Sequence, residues 1–419
     1  MSNSTSRFSP FNISDDERRY VEQIMLDVKK RGDEALLDYT SRPKPFDNVK
    51  LSKDRLMVRQ DELEESEKYL SNDVKKAVLF MMSRIRKVVG LQMGMLSTKM
   101  LSEGGLKYFM RFYPLEKIGI LVPGGRAMYV STIVMAAYPA VLVGVKEIHV
   151  LTPPREDGSV NPAILYAAKL MGLRRVYRCN MVAGVGALTF GTETIPRVEK
   201  IIGPGNKFVT LAKMIANSYG VSIDVPAGPS ELVVLADSSA DPKSVALDLA
   251  AQAEHSPDSF IALITDSKDL AELVEKIFGE ISKKYSLKTR INIYLVKSIE
   301  EGLEKCNLLA PEHISLQVKN PTKLFNRITT AGTVFLGGSS PPAVGDYVSG
   351  SNHILPTGGY ARVRGGVTIL DYLRIVSYQH FSLKYLMKTA RYLETLSRAE
   401  GLPLHGISVE SRIKEKIIL

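Results

Sequence analysis

Between residues 117 and 336 the sequence alternates short apolar runs with longer runs that have the 3.6-residue period of a helix. Parallel strands need such alternation, because each crossover between them usually contains a helix. The predicted strands cover residues 117–122, 147–151, 175–178, 200–202, 223–225, 231–235, 260–265, 291–296 and 333–336. The predicted helices between them cover residues 131–143, 162–171, 208–219, 241–254, 268–278 and 322–330. The pattern predicts an α/β protein with two Rossmann-like, doubly wound units that meet at a cleft.

The segments on either side of this region have helical periodicity. Residues 15–115 are predicted to be mostly helical, with regular apolar spacing over 15–31, 60–70 and 74–93. A helical tail is predicted from Val367 onward, and its last part, 400–419, carries charges on an apolar periodicity. Such a tail is typical of packing on a partner subunit. We therefore expect a helical N-terminal segment and a C-terminal helical dimerisation tail.

Composition narrows the class of protein. The net charge of the 419-residue chain is +10, but basic and acidic residues are interspersed, which disfavours a nucleic-acid interface. Two cysteines, Cys179 and Cys306, are too few for a disulfide framework and fit a reducing compartment. The polar start of the chain and the lack of a long apolar run predict no signal peptide and no membrane span. We expect a cytoplasmic enzyme.

Four of the six histidines lie in segments rich in polar residues, Gly or Pro. Gln252 and His255 are three residues apart at the end of a helical run, so both side chains are predicted on one helical face. This is a usual way to present two ligands to one metal ion, and a borderline cation such as zinc suits them. The alternative for this pair alone is a helix-end histidine that bonds its own backbone.

Other pairs of acidic and imidazole side chains follow in the sequence. Glu312 and His313 come after Ala310-Pro311, and one short loop could supply both an acid and a base if burial tunes their pKa values. Asp346 and His353 lie in a Gly-rich polar run, 345–357, which is costly to order unless it holds something. Glu400 and His405 lie on the C-terminal tail, where a surface helix end is the alternative.

Three segments that contain Gly and Pro are candidate ligand-binding turns. Gly203-Pro204-Gly205-Asn206 follows a strand and opens a helix, so its backbone N–H groups could approach a phosphate. A simple strand-to-helix turn explains it equally well. Pro123-Gly124-Gly125 is a weaker signal, and neither segment is the GxGxxG dinucleotide fingerprint. Ala227-Gly228-Pro229-Ser230-Glu231 lies where one sheet series gives way to the next, where ligands tend to bind.

In order along the chain, six of these segments closely resemble the histidinol dehydrogenase family. They are GPGN (203–206), DVPAGPSE (224–231), QAEH (252–255), APEH (310–313), GDYVSGSNHILPT (345–357) and EGLPLH (400–405). Six ordered motifs are far more specific than any one of them. The resemblance runs from about residue 20 into the C-terminal tail.

The resemblance implies a role for each motif residue. Gln252, His255, Asp346 and His405 would bind one zinc ion per subunit, with His405 contributed by the other subunit of a domain-swapped homodimer. His313 would be the general base, and Glu312 would position or activate water. Ser230, His353 and Glu400 would contact the amino-alcohol substrate, and Asn206 would contact NAD. The implied reaction oxidises L-histidinol to L-histidine through the aldehyde, with two NAD⁺.

The chain departs from the family pattern at a few positions. Leu121 stands where a tyrosine commonly touches the cofactor, and Ala183 stands where a glutamine often does. After the APEH motif the chain continues Ile314-Ser315, where Leu-Glu is usual. These changes favour a second hypothesis, a paralogue that oxidises another small polar alcohol, for example a sulfonated diol. A third hypothesis, a non-catalytic zinc- or nucleotide-binding protein, is disfavoured by the intact Glu312-His313 pair.

The expected domain organisation has four parts. Residues 1–19 form an N-terminal arm. Residues 20–116 and 230–366 form one Rossmann-like domain that includes the helical N-terminal part, and residues 117–229 form the other. Residues 367–419 form the helical tail that contacts the partner subunit.

Overall fold

The computed structural model describes residues 13–96, 98–124 and 129–417. The chain divides into two compact units, one of Met1–Gly90 with Leu115–Tyr372 and one of Leu91–Pro114 with Leu373–Leu419. The helices are α1 (Asp15–Arg31), α2 (Asp33–Ser41), α3 (Gln60–Glu65), α4 (Asn72–Met95), α5 (Val130–Val143), α6 (Pro162–Leu170), α7 (Met181–Phe190), α8 (Lys207–Ser218), α9 (Pro242–Ala253), α10 (Lys268–Tyr285), α11 (Ile299–Leu309), α12 (Pro342–Tyr347), α13 (Leu383–Ala399) and α14 (Pro403–Ile417). The strands are β1 (Met100–Glu103), β2 (Leu106–Pro114), β3 (Lys117–Leu121), β4 (Glu147–Thr152), β5 (Val176–Arg178), β6 (Lys200–Ile202), β7 (Ser222–Ile223), β8 (Glu231–Ala236), β9 (Phe260–Thr265), β10 (Ile291–Leu295), β11 (His313–Gln317), β12 (Thr333–Leu336) and β13 (Leu373–Phe381).

The larger unit contains two parallel sheets. The first has the strand order β5-β4-β3-β6-β7 and the second has the order β10-β9-β8-β11-β12. Every neighbouring pair in both sheets is parallel. The predicted α/β class with parallel sheets is confirmed.

Helices cover both faces of the second sheet. Alternate residues of each strand face opposite sides of the sheet. Leu232 and Val234 of β8 pack with α9 and α10, whereas Val233 and Leu235 pack with Leu303 of α11. Each such apolar side chain contributes about 1.5–3 kcal/mol when it leaves water. The apolar runs that predict these strands therefore reflect burial on both faces.

The N-terminal helices pack on the first sheet. Val21, Met25 and Val28 of α1 share a core with Leu151 of β4 and Leu188 of α7, and α3 packs against α6. The domain boundaries stay a prediction, and residues 1–12 of the expected N-terminal arm lie outside the described residues.

The smaller unit contains an antiparallel sheet that the helical predictions for 15–115 and for the tail miss. Its strand order is β1-β2-β13, with β13 paired along the whole of β2. The tail thus begins with a strand before α13 and α14, and those two helices pack against each other. A Gly104-Gly105 turn with positive φ at both residues joins β1 to β2, which is a recognised hairpin signal.

Several other elements differ from the predictions. The helix predicted over 322–330 consists of two short 3-10 turns, Pro321–Lys323 and Phe325–Arg327. Four helices, α2, α7, α11 and α12, were not predicted, nor was β11. Within the described part of the chain, no helix has both the length and the apolar character needed to cross a bilayer.

Candidate active site

The predicted acid–base pair lies at the start of β11, between β8 and β12. His313 is the first residue of this strand and Glu312 precedes it, so the expectation of one short loop is wrong for His313. Both residues are buried. Ile314 and Leu316 of the strand face the core around α11, so His313 and Ser315 face the opposite side. The pair therefore sits at the N-terminal edge of the second sheet.

The hydrogen bonds of His313 define its tautomer. Its Nδ1 lies 3.0 Å from the backbone oxygen of Glu231, and since a carbonyl can only accept, Nδ1 carries the proton. Its Nε2 lies 3.9 Å from Oδ1 of Asp346. Burial lowers the pKa of His313 to about 4. The neutral ring thus presents an unprotonated Nε2, which can accept a proton.

Burial shifts the pKa of Glu312 upward, whereas it shifts the pKa of His313 downward. Burial raises the pKa of Glu312 well above the ordinary value; the backbone N–H of Glu231 opposes the rise, and the charges of Glu231 and Asp346 add to it. That N–H donates to Oε2 of Glu312 over 2.8 Å, and Oε2 lies 3.6 Å from Nδ1 of His313. A carboxyl group whose pKa is raised can exchange a proton nearer neutral pH.

Asp346 and His353 are joined by a hydrogen bond. Asp346 lies in α12, so helix replaces loop at the start of the predicted run 345–357. Nδ1 of His353 donates to the backbone oxygen of Asp346 over 3.2 Å, and its Nε2 lies 3.3 Å from Oγ1 of Thr132 in α5. Burial lowers the pKa of His353 to about 4 and raises the pKa of Asp346. The imidazole of His353 is therefore held against the backbone of the half-buried Asp346.

Gln252 and His255 lie at the C-terminal end of α9, which packs against α12. The helix ends at Ala253, so His255 lies in the following turn instead of on the predicted helical face. Gln252 is buried at 4 % exposure, whereas His255 is exposed. The charge of His255 contributes to lowering the pKa values of Asp346, His313 and His353. His255 therefore lies near this group of side chains.

The donors in this unit suit a metal ion such as zinc in their chemistry. Asp346 offers a half-buried carboxylate, His255 an imidazole and Gln252 an amide oxygen. In residues 13–96, 98–124 and 129–417, the Asp346 carboxylate has no Lys or Arg ion-pair partner, so a cation would offset its burial. The same residues contain no group of three or more His, Cys, Asp or Glu that could hold a metal. Of the four predicted zinc ligands, the larger unit contains Gln252, the imidazole of His255 and the carboxylate of Asp346. The fourth, His405, lies in the smaller unit.

The expected tail residues lie in the smaller unit. Glu400 follows the end of α13 and His405 lies in α14, and both are exposed. In the larger unit, contacts connect Glu312, His313, Asp346 and His353. Gln252 and His255 lie at the end of α9, which packs against α12.

Ser230 precedes β8 and is half-buried, and its backbone oxygen accepts from Phe260 N over 2.9 Å.

Asn206 is exposed and caps α8, since its Oδ1 accepts from the N–H groups of Phe208 and Val209, each over 3.1 Å. Gly203 has φ 130°, and a Cβ there would lie 2.3 Å from the Leu121 oxygen. The turn interpretation of GPGN therefore has direct structural support, and its cofactor role stays a prediction.

The two departures in the predicted cofactor region are core residues. Leu121 and Ala183 are both fully buried and belong to one apolar cluster with Met25 and Leu151. Ala183 lies in α7, a helix that was not predicted. Gly125 of the Pro123-Gly124-Gly125 segment lies outside the described residues.

Two residues of the site were missed from the sequence. Glu231 contacts both Glu312 and His313, and Thr132 contacts His353. Glu231 is adjacent to the predicted Ser230 in the DVPAGPSE motif, but its contacts with Glu312 and His313 depend on strand pairing. Nothing in the sequence around Thr132 distinguishes it, because its contact spans 221 residues.

Comparisons with known proteins agree with the motif order. The histidinol dehydrogenase family model matches residues 10–413. Histidinol dehydrogenase of Methanocaldococcus jannaschii is 40% identical over 401 residues, which cover 94% of this chain and 92% of that protein. The enzyme of Lactococcus lactis is 37% identical over 412 residues, covering 96% and 94%. The crystal structure of histidinol dehydrogenase from Elizabethkingia anophelis superposes with a TM-score of 0.92 at 35% identity, covering 99% of this chain and 96% of that chain. The chain therefore belongs to the histidinol dehydrogenase family, a family of oxidoreductases.

Proposed function

We propose that this protein oxidises L-histidinol to L-histidine through L-histidinal, the last steps of histidine biosynthesis, with NAD⁺ and zinc. The observation that carries the proposal is the geometry of His313: its Nδ1 lies 3.0 Å from the Glu231 carbonyl oxygen, its Nε2 lies 3.9 Å from Asp346, and Glu312 is alongside. A binding module has no need of such an acid–base pair. Family membership supports histidinol as the substrate.

Gln252, His255, Asp346 and His405 of the partner subunit are the residues proposed to hold zinc, which when bound would orient the amino alcohol and polarise its hydroxyl group. Bound NAD⁺ would supply the oxidising equivalents, two molecules for each histidinol. The mixed N and O donor set supports zinc at this position. Asn206 is the residue proposed to contact NAD.

His313 would take the hydroxyl proton at Nε2 during the first oxidation. The hydrogen bond from its Nδ1 to the Glu231 carbonyl keeps that nitrogen available as an acceptor. Glu312 would bind the water that hydrates the aldehyde, and its raised pKa lets it exchange a proton with that water. Ser230, His353 and Glu400 of the partner subunit would contact the substrate.

A homodimer with shared sites is also proposed, and the exposure of the smaller unit supports it. In the described part of that unit, only Ser397 and Gly406 are buried. Large apolar side chains on α13 and α14, such as Leu396 at 63% and Leu404 at 74%, are exposed. Exposed apolar surface of this extent is typical of a protein–protein interface, and a second copy is the partner that the family resemblance implies.

A second candidate is oxidation of a different small polar alcohol. The full burial of Leu121 and Ala183 favours it, because these side chains form core instead of offering polar atoms to a cofactor. The acid–base pair would act in the same way. This candidate differs from the first only in the substrate.

The test is the amount of NADH formed for each molecule of L-histidinol supplied to the zinc-loaded protein. Two NADH per histidinol are expected, because the alcohol and the hydrated aldehyde are each oxidised once. No NADH from histidinol, with zinc bound, would reject the first candidate; turnover of a sulfonated diol by the same sample would then support the second.

Two variants separate the proposed metal and base roles. His313→Ala should lower kcat by roughly 10²–10⁴-fold, the usual contribution of general base catalysis, with zinc content unchanged. His255→Ala should lose zinc, measured by elemental analysis, while its thermal unfolding in the presence of chelator matches that of the wild type. Normal turnover by His313→Ala would exclude the base role, and normal zinc content in His255→Ala would exclude the ligand role.

A further inference from the structure

Glu231 and Glu312 form a reciprocal pair at the start of two neighbouring strands. Leu232 of β8 lies opposite His313 of β11, so the two glutamates occupy equivalent positions one residue earlier. The N–H of Glu231 donates to Oε2 of Glu312 over 2.8 Å, and the N–H of Glu312 donates to Oε2 of Glu231 over 3.2 Å. Each side chain thus bonds the backbone of the other residue, and both carboxyl groups are held close to the strand ends.

The second carboxylate oxygen of Glu231 binds a third segment. Its Oε1 accepts from the N–H of Gly358 over 3.0 Å. Gly358 follows Thr357, whose hydroxyl oxygen accepts from the N–H of Gly228 over 2.6 Å. Glu231 therefore connects the start of β11 with the end of the run 345–357 that carries Asp346 and His353.

The backbone of Glu231 also acts on His313. Its carbonyl oxygen accepts the Nδ1 proton of His313, which leaves Nε2 as the acceptor. The position of this carbonyl depends on the conformation of residue 231, and the two side-chain bonds of Glu231 restrain that conformation. A second partner that fixes the tautomer and orientation of a reacting imidazole commonly matters for rate.

We propose that Glu231 is a positioning residue of the reaction, which holds Glu312 and His313 in the arrangement that transfers protons. This inference deepens the proposed function and rests on it. Glu231 acts through the two residues and through Gly358, without contact to the reacting atoms.

A purely structural role at the strand end is the alternative, and the chain offers a matched control. Glu147 begins β4 in the first sheet as Glu231 begins β8 in the second, and both residues are half-buried. The Glu147 carboxylate lies 3.6 Å from Arg175 and 3.8 Å from Lys117, away from the residues of the candidate site. Glu147→Gln therefore changes a strand-end carboxylate without touching Glu312 or His313.

The experiment compares Glu231→Gln, Glu147→Gln and the wild type in zinc content, thermal unfolding, kcat and KM. The Gln amide keeps the size of Glu but turns an NH₂ group toward one of the two N–H donors. We expect kcat of Glu231→Gln to fall by about 10–100-fold, the usual effect of losing such a supporting partner, with KM for the alcohol and zinc content within about twofold. Glu147→Gln should keep the wild-type kcat. An unchanged kcat in Glu231→Gln, or an equal loss in Glu147→Gln, would overturn the proposal.

A second readout does not depend on turnover. In protein labelled with ¹⁵N-histidine, the ring nitrogens of His313 should report a single Nδ1–H tautomer in the wild type and a mixture of tautomers in Glu231→Gln. A wild-type ring protonated at Nε2 would overturn the positioning role even if the variant does not fold. If the wild type forms no NADH from histidinol, the proposed function fails, and the tautomer comparison still decides the role of Glu231.

Discussion

At the scale of single residues, Lys213 of α8 and Asp224, which follows β7, form a buried ion pair beside the first sheet. Both side chains are almost completely buried, and Nζ of Lys213 lies 2.5 Å from Oδ1 of Asp224. The same ammonium donates to the backbone oxygen of Gly203 over 2.7 Å. Lys213→Met should lower the free energy of unfolding by about 3–5 kcal/mol, because it leaves an uncompensated carboxylate in the core. Urea denaturation measures this loss.

The control is an exposed ion pair of similar length. Lys68 and Glu65 are 2.9 Å apart on the surface, and Lys68→Met should cost less than about 1 kcal/mol. The double variant Lys213→Met/Asp224→Asn should recover part of the loss, since it removes the unpaired charge. A Lys213→Met protein within about 1 kcal/mol of the wild type would contradict the argument.

The residues of the candidate site differ in how far the sequence predicts them. Glu312 and His313 are adjacent in the chain, so their common location is visible before any fold is known. The role of Glu231 is not visible, because it depends on the pairing of β8 with β11 across 81 residues. The placement of His255 beyond α9 also escapes the helical period, since the period does not say where the helix ends.

At the scale of elements, the start of α8 tests the two interpretations of the GPGN segment. Asn206 caps the helix through two N–H groups, so Asn206→Ala should lower the free energy of unfolding by about 1 kcal/mol. Asn206→Ser keeps a capping oxygen but is shorter, so it should preserve stability and raise KM for NAD⁺. Thermal unfolding and steady-state kinetics at varied NAD⁺ measure the two effects. A serine variant with normal KM would leave Asn206 with the capping role alone.

The elements predicted correctly are those with strong apolar runs. Strands β3, β8 and β9 are buried along most of their length. Parallel strands that are covered on both faces have nearly continuous apolar sequences. Strand β13 is exposed at eight of its nine residues, so it has no buried face to produce a pattern. Strand β11 does alternate, with Ile314 and Leu316 apolar and Ser315 and Gln317 polar, but its five residues follow a Pro-containing motif that suggested a loop.

At the scale of the whole molecule, the exposed apolar side chains of the smaller unit predict that the chain functions as a homodimer. If each active site combines His313 of one subunit with His405 of the other, a dimer of His313→Ala and His405→Ala subunits has one intact site and one site with both changes. Random exchange should then restore about a quarter of wild-type activity, because half of the dimers are mixed and each has one working site. The measurement is NADH formation after the two inactive proteins exchange subunits, with differently tagged chains to quantify mixed dimers.

The matched control mixes His313→Ala with Glu312→Gln, because both residues come from the same subunit of each shared site. Every mixed dimer of this kind has two damaged sites, so activity should stay absent. Mixed dimers of the first kind that form but remain inactive would contradict a site shared between subunits.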